Sequence, residues 1–132
     1  MYLTGDIITT TASSNPLLLH KAIIILENGE PFVLHNSPML VNVAGGSVGY
    51  ESLKDFEADG RKVLKVERTN LSKEHILAAG ESVAREKFHI TSFNCEQFVS
   101  YVQNGNFHSP QLEKWMLAGL CGVLFITCYV PF

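Results

Sequence analysis

The stretch His20–His35, HKAIIILENGEPFVLH, decides the fold. Lys21–Leu26 (KAIIIL) is a short, nearly unbroken apolar run, as expected of a strand buried on both faces. Asn28-Gly29 predicts a two-residue hairpin turn, because these residues tolerate the positive φ values such a turn demands. Pro31–His35 (PFVLH) then returns as the partner strand. Counting outward from the turn, position 28 faces 29 and position 22 faces 35. His20 therefore falls about two residues beyond the pairing, and both histidines lie at one end of one hairpin. A small bulge or twist would bring the imidazoles into contact.

Working outward, Asp6–Thr11 (DIITTT) is β-branched and predicts a first strand. Ala12–Pro16 is turn chemistry, and Asn36 to Gly49, with Pro38 and three glycines, reads as a loop. Ser52–Phe56 predicts one helical turn, and Lys62–Arg68 a strand with imperfect alternation. Ser72 caps a helix expected to run through Lys87, with Ile76, Ala79, Gly80 and Val83 on one stripe. Asn94 caps the next helix and Gln97 completes a capping box. Phe98, Val99 and Val102 follow Cys95 at the i+3, i+4, i+7 spacing of a buried face, and Asn104-Gly105 ends the helix. The whole predicts an α+β fold, an antiparallel sheet with packed helices, and puts Cys95 at the first position of a helix.

The chain has 132 residues and a formal net charge of −3 at pH 7, with a sequence pI near 5.9. That length suits one domain, and the charge balance speaks against nucleic acid as a partner. Three cysteines, Cys95, Cys121 and Cys128, make no disulfide framework and fit a reducing compartment. Every charged side chain lies at or before Lys114. The composition divides the chain into a body, 1–110, and an apolar C-terminal segment, 111–132. The N-terminus lacks the basic and apolar regions of a secretory signal, which predicts an intracellular protein.

Residues 115–132 read WMLAGLCGVLFITCYVPF. As a helix, Trp115–Val130 would span about 24 Å, somewhat short of a ~30 Å hydrocarbon core. A helix apolar all round belongs in a membrane or a deep core. Membrane association is the expectation; a helix packed on the body or a dimer contact is the alternative. Cys121 and Cys128, seven apart, lie on one face, as acylation sites or simple packing.

Nucleophilic cysteine chemistry requires a thiolate, a base to take its proton and a group to orient that base. A helix N-terminus favours a thiolate at Cys95, and His20 and His35 supply the other two parts. His75, His89 and His108 show no ligand spacing and read as surface or structural. No CxxC or HxxxH pair occurs, so neither a metal nor another cofactor is expected. Ala44–Gly49 lacks the GK(S/T) ending of a phosphate loop and reads as a flexible loop over the site. Asn70-Leu71-Ser72 is a sequon read as a helix cap. Glu27, Glu30, Glu57 and Asp59 read as solvated turns without a role.

With these pieces in order the chain resembles the lecithin–retinol acyltransferase-like family, a circularly permuted branch of the papain-like/NlpC superfamily. The resembling elements are Gly5–Ile8, His20–Ile25, Val33–Pro38, Ser52–Phe56 and above all Asn94–Val99 (NCEQFV), spanning roughly residues 3 to 110. The order His, His, Cys is the permuted one. The resemblance implies Cys95 as nucleophile, His20 as base and His35 as third member, with Asn94 and Leu18 near the substrate or oxyanion. It implies acyl transfer through a thioester on Cys95, from an acyl-containing small molecule or lipid, often behind a C-terminal membrane anchor. Gln97 stands where many members have histidine. Lys21 and Leu18 replace the aromatic and polar aromatic residues of phospholipid-acting members, departures that bear on the substrate more than the mechanism. Two other readings fit the same residues: a cysteine amidase or peptidase of the superfamily, and a non-catalytic membrane-interaction module.

Overall fold

The computed structural model describes residues 1–12 and 18–117. Five strands form one antiparallel sheet in the order β4-β3-β2-β1-β5. They are β1 (Ile7–Thr11), β2 (Leu19–Glu27), β3 (Glu30–Asn36), β4 (Val48–Ser52) and β5 (Val63–Glu67). Helices α1 (Leu53–Ala58), α2 (Lys73–Ser82), α3 (Cys95–Asn104) and α4 (Pro110–Leu117) pack around it. The α+β class and the antiparallel sheet are as the sequence predicts.

The central hairpin forms around Asn28 (φ 51°) and Gly29 (φ 82°), the pair that can hold positive φ at little cost. Its register, Ile23 opposite Leu34 and Glu27 opposite Glu30, is the one counted from the turn. The apolar run is unbroken because both faces of β2 are covered. Ile23 and Ile25 face Ile76 of α2 and Phe98, Val99 and Val102 of α3, while Ala22 and Ile24 face Ile8, Val33, Leu53 and Phe56. Solvent reaches none of Ile23, Ile24 or Ile25, so a slip of one residue would exchange two filled cores.

Two boundaries differ from the sequence reading, and the strand predicted over Lys62–Arg68 forms as β5. Val48–Ser52 is a strand paired with β3, although Gly49 lies in the region read as loop; Leu40 packs so closely there that a Cβ on Gly49 would meet its Cδ1 at 2.3 Å. The helix after Ser72 stops at Ser82 instead of Lys87, because Val83 leaves helical geometry (φ −118°) and the chain turns through Ala84 to meet the 42–47 loop. The strand after Lys62 is an edge strand with Leu64 and Val66 exposed, which explains its irregular alternation.

Helix α3 carries both halves of the capping box: Asn94 Oδ1 accepts from Gln97 N and Gln97 Oε1 accepts from Asn94 N, each at 2.8 Å. Gly105 closes it in the left-handed conformation. The start of the C-terminal segment is tied to the body. Glu96 Oε1 accepts from Ser109 Oγ (2.7 Å) and Gln111 N (3.0 Å), and Gln111 Oε1 accepts from Leu19 N (3.0 Å). The turn read at Ala12–Pro16 falls largely outside the described residues, as do Cys121, Cys128 and the segment's apolar end. Among the described residues, no helix is long and apolar enough to cross a membrane.

Candidate functional site

The sheet gathers the histidines. His20 lies on β2 three residues before the first hairpin pair, Ile23–Leu34, and opposite Thr10 of β1, and His35 is the penultimate residue of β3, opposite Gly49. Their rings meet edge to face, with centroids 5.1 Å apart and planes at 86°. His20 Nε2 lies 2.9 Å from His35 Nδ1, and each residue is about 1% exposed. The contact anticipated from the turn count is therefore a buried hydrogen bond.

His35 also reaches a residue that the sequence reading passed over. Its Nε2 lies 2.8 Å from Glu51 Oε2. Glu51 pairs with Val33, two residues from His35 on the same face of β3, so the two side chains are diagonal neighbours across the strands. Only a strand at 48–52 makes that visible, because in a loop Glu51 has no face.

The three groups fix one another's protons. An ionised carboxylate only accepts, so His35 Nε2–H donates to Glu51. Neutral His35 then carries no proton on Nδ1, which accepts from His20 Nε2–H. Neutral His20 is left with its basic lone pair on Nδ1. Burial holds His20 well below the usual histidine range, reinforced by His35 and the Arg61 guanidinium. Burial lowers His35 as well, outweighing the hydrogen bond to Glu51 that pulls the other way. The hydrogen bond from His35 in turn lowers Glu51. At neutral pH the relay is thus two neutral imidazoles against a carboxylate, not an ion pair.

Phe56 of α1 seals the relay. Its ring lies 5.8 Å from His20 and 4.9 Å from His35, centroid to centroid, and the Arg61 guanidinium carbon stands over it, 4.6 Å from its centroid. Arg61 is buried, donates to Asp59 Oδ2 at 3.0 Å, and lines a cavity of about 510 Å³ with His35, Ser37, Leu40, Glu51 and Asp59. Solvent thus approaches the relay from the Glu51 end. Asp59, read as a solvated turn residue, orients this arginine.

Cys95 arrives from the other side of the sheet's end. It occupies the first turn of α3, is buried, and its Sγ lies 3.8 Å from the carbonyl oxygen of Leu19, the residue before His20. Asn36, fully buried at the end of β3, locks this approach: its Nδ2 donates to Phe93 O (2.8 Å) and Asn94 O (3.2 Å), and its Oδ1 accepts from Ser47 Oγ. Hairpin end and helix start are thereby one unit.

The remaining sequence candidates hold that unit in place. The Asn94 amide is engaged with Gln97 N and, through Nδ2, with Ile90 O at 2.9 Å. The Leu18 side chain is buried, and its carbonyl accepts from Ala12 N at 3.0 Å. His75 Nε2 lies 2.7 Å from Val102 O, His89 Nδ1 2.9 Å from Thr91 Oγ1, and His108 Nδ1 3.3 Å from Glu113 Oε1, all away from the relay. Among the described residues, no three His, Cys, Asp or Glu side chains are grouped to hold a metal ion.

Glutamine at position 51 keeps an acceptor for His35 but removes the charge. On the acyl-transfer reading proposed below, acylation of Cys95 is expected to slow about 10- to 100-fold, because charge-assisted hydrogen bonds are roughly twice as strong as neutral ones. Glu51→Asp should recover part of the loss. Unchanged second-order acylation rates in Glu51→Gln would remove Glu51 from the relay.

No family model matches this chain, no curated protein matches its sequence, and no solved structure matches its fold.

Proposed function

We propose that this protein is a cysteine acyl hydrolase or acyltransferase, with the permuted papain-like architecture its sequence resembles, and that Cys95 carries the acyl group as a thioester. The observation behind the reading is the relay of buried His20 and His35 with partly exposed Glu51, ending beside the strand residue against which Cys95 packs. Such a relay is expensive to build, since the two buried imidazoles lose water for few hydrogen bonds. Its tautomer logic delivers one product, a base at His20 Nδ1.

In the proposed sequence, His20 Nδ1 takes the proton of the Cys95 thiol as sulfur attacks the carbonyl carbon of an ester or amide. The oxyanion develops at the positive end of α3, where helix dipole and first-turn N–H groups favour negative charge; one such donor is typically worth about 3 kcal/mol. The protonated His20 then gives its proton to the leaving oxygen or nitrogen, and the thioester remains. Water, an amine or a hydroxyl attacks it, passing a proton to His20, and the thiol is restored when that proton returns to sulfur. Lipid acyl chains are the proposed substrates, with the C-terminal segment as a membrane anchor.

Intact mass spectrometry with an activated acyl ester tests the assignment. An adduct of acyl mass should appear on the parent protein, localise to Cys95, and be absent in Cys95→Ala. An adduct that survives in Cys95→Ala, or none with any ester or amide offered, overturns it; the second result favours the non-catalytic module. Because His20 stays neutral well below its ordinary pKa of about 6.5, acylation should persist into the acid range and not halve near pH 6.5.

A further inference from the structure

The loop from Pro38 to Ser47 holds three large apolar side chains in water: Met39 is 71% exposed, Val41 80% and Val43 110%. This is not a slack segment. Asn42, between the two valines, uses its whole amide to fasten the loop. Its Oδ1 accepts from Ala44 N (2.9 Å) and Gly46 N (3.0 Å), and its Nδ2 donates to Val48 O and Ala84 O, both at 2.9 Å. Ser47 N donates to Glu86 O at 3.0 Å, and a Cβ on Gly46 would meet Ala84 O at 2.1 Å, so the loop lies flush on the 84–86 turn. Folding gains nothing from presenting valines this way, and a rigid apolar prong is the signature of a surface that meets a partner.

The charges beside the prong indicate the partner. Lys87 and Phe88 line a cavity of about 370 Å³ with Pro38, Met39, Leu40 and Val41. Arg85 and Lys87, both exposed, flank exposed Glu86 on the turn to which the loop is fastened, so that this turn carries a net charge of +1. Apolar side chains rimmed by cations match the boundary of an anionic bilayer, where the tip enters the acyl region and the cations meet phosphate. A second copy of the chain would also meet the valines, and the test below separates that outcome from lipid.

We propose that the 38–47 loop, with Arg85 and Lys87, docks the protein on an anionic lipid surface. The loop leaves β3 directly after Asn36, which holds the carbonyls of Phe93 and Asn94. Docking therefore brings the bilayer to the end of the sheet where Cys95 lies. The proposal concerns a segment separate from residues 115–132 and uses no residue of the relay. Its failure is thus distinguishable from failure of the acyl-transfer reading, which the Cys95 adduct decides.

The test places a reporter at the tip: Val43→Trp in the 132-residue chain, whose one tryptophan, Trp115, is changed to Phe. With vesicles containing phosphatidylserine and bromine-labelled acyl chains, emission from position 43 should shift to the blue and be quenched. Affinity should fall about tenfold or more on pure phosphatidylcholine, in high salt or with Lys87→Glu, as expected when cations contribute to binding. Adding Val41→Asp to the reporter chain should weaken the blue shift and the quenching at position 43 correspondingly. Emission that stays at the water-exposed wavelength while the chain floats with vesicles overturns the proposal, because another segment then holds the membrane. A blue shift that grows with protein concentration in the absence of lipid overturns it in favour of self-association.

Discussion

Alanine at position 20 should slow acylation of Cys95 by about 10²- to 10⁴-fold, the range a positioned general base contributes. The argument rests on elimination within the relay. Glu51 can only accept, so His35 must donate to it, and His20 must donate to His35. The imidazole nitrogen remaining to take a proton is His20 Nδ1, and no other described histidine stands in this network. His35→Ala should cost less, since His20 keeps a basic nitrogen and loses only its orientation. The expected rank is therefore His20→Ala well below His35→Ala, with Glu51→Gln mildest. Removing a fully buried ring also leaves a cavity beside Phe56, and this supplies the control. Added imidazole should enter it and restore part of the rate in His20→Ala, while doing nothing for Cys95→Ala. Parent-like acylation in a folded His20→Ala protein would end the case for His20 as base. Loss without any imidazole response, together with a changed circular dichroism spectrum, would assign His20 a purely architectural role.

How much of this was legible beforehand follows from the range over which each feature is specified. The hairpin is local: two turn residues and an alternation with fixed period set its register, so the meeting of His20 and His35 could be counted from Asn28-Gly29. The capping box is local too, and Asn94 and Gln97 placed Cys95 on the first turn of α3. Glu51, Phe56, Arg61 and Asn36 were not legible as a site, because each acts through a partner brought near by the sheet. Glu51 matters only once β4 pairs with β3, and Gly49 in that strand reads as loop chemistry until Leu40 is seen filling the space a side chain would need. Arg61 belongs to no motif, and its place follows only from Phe56 and Asp59, which the fold brings to it. The exposed valines at 41 and 43 look like an ordinary apolar loop in sequence. Their projection depends on the hydrogen bonds of Asn42 to a turn forty residues away.

The same burial that prepares the relay should make the protein labile to acid. In the unfolded chain both histidines titrate near their ordinary value of about 6.5, whereas in the fold each titrates lower. Below pH 6.5 the unfolded state therefore binds more protons, and stability falls as pH falls. It is fully present above about pH 6.5 and is lost progressively toward the folded values. While a histidine is charged in the unfolded chain and neutral in the fold, the slope is about 1.4 kcal/mol per pH unit, whatever the depth of the shift. Two such groups give up to about 2.7 kcal/mol per unit, a large share of the 5–15 kcal/mol that typically holds a domain together. Tm is thus expected to fall as pH drops below about 6.5, by several degrees for each kcal/mol lost. Glu51 acts in the same direction further down. Its folded pKa is also depressed, so its contribution is present above its ordinary value and disappears as pH falls through the lowered one. Thermal melts from pH 8 to pH 4 measure the sum, and His20→Gln separates the parts. Glutamine keeps a polar group near His35 without titrating, so the variant should begin less stable yet lose Tm with acid at roughly half the parental slope. A parental slope in His20→Gln would mean that the proton uptake driving acid unfolding lies elsewhere, and that His20 is not the neutral, buried base the relay requires.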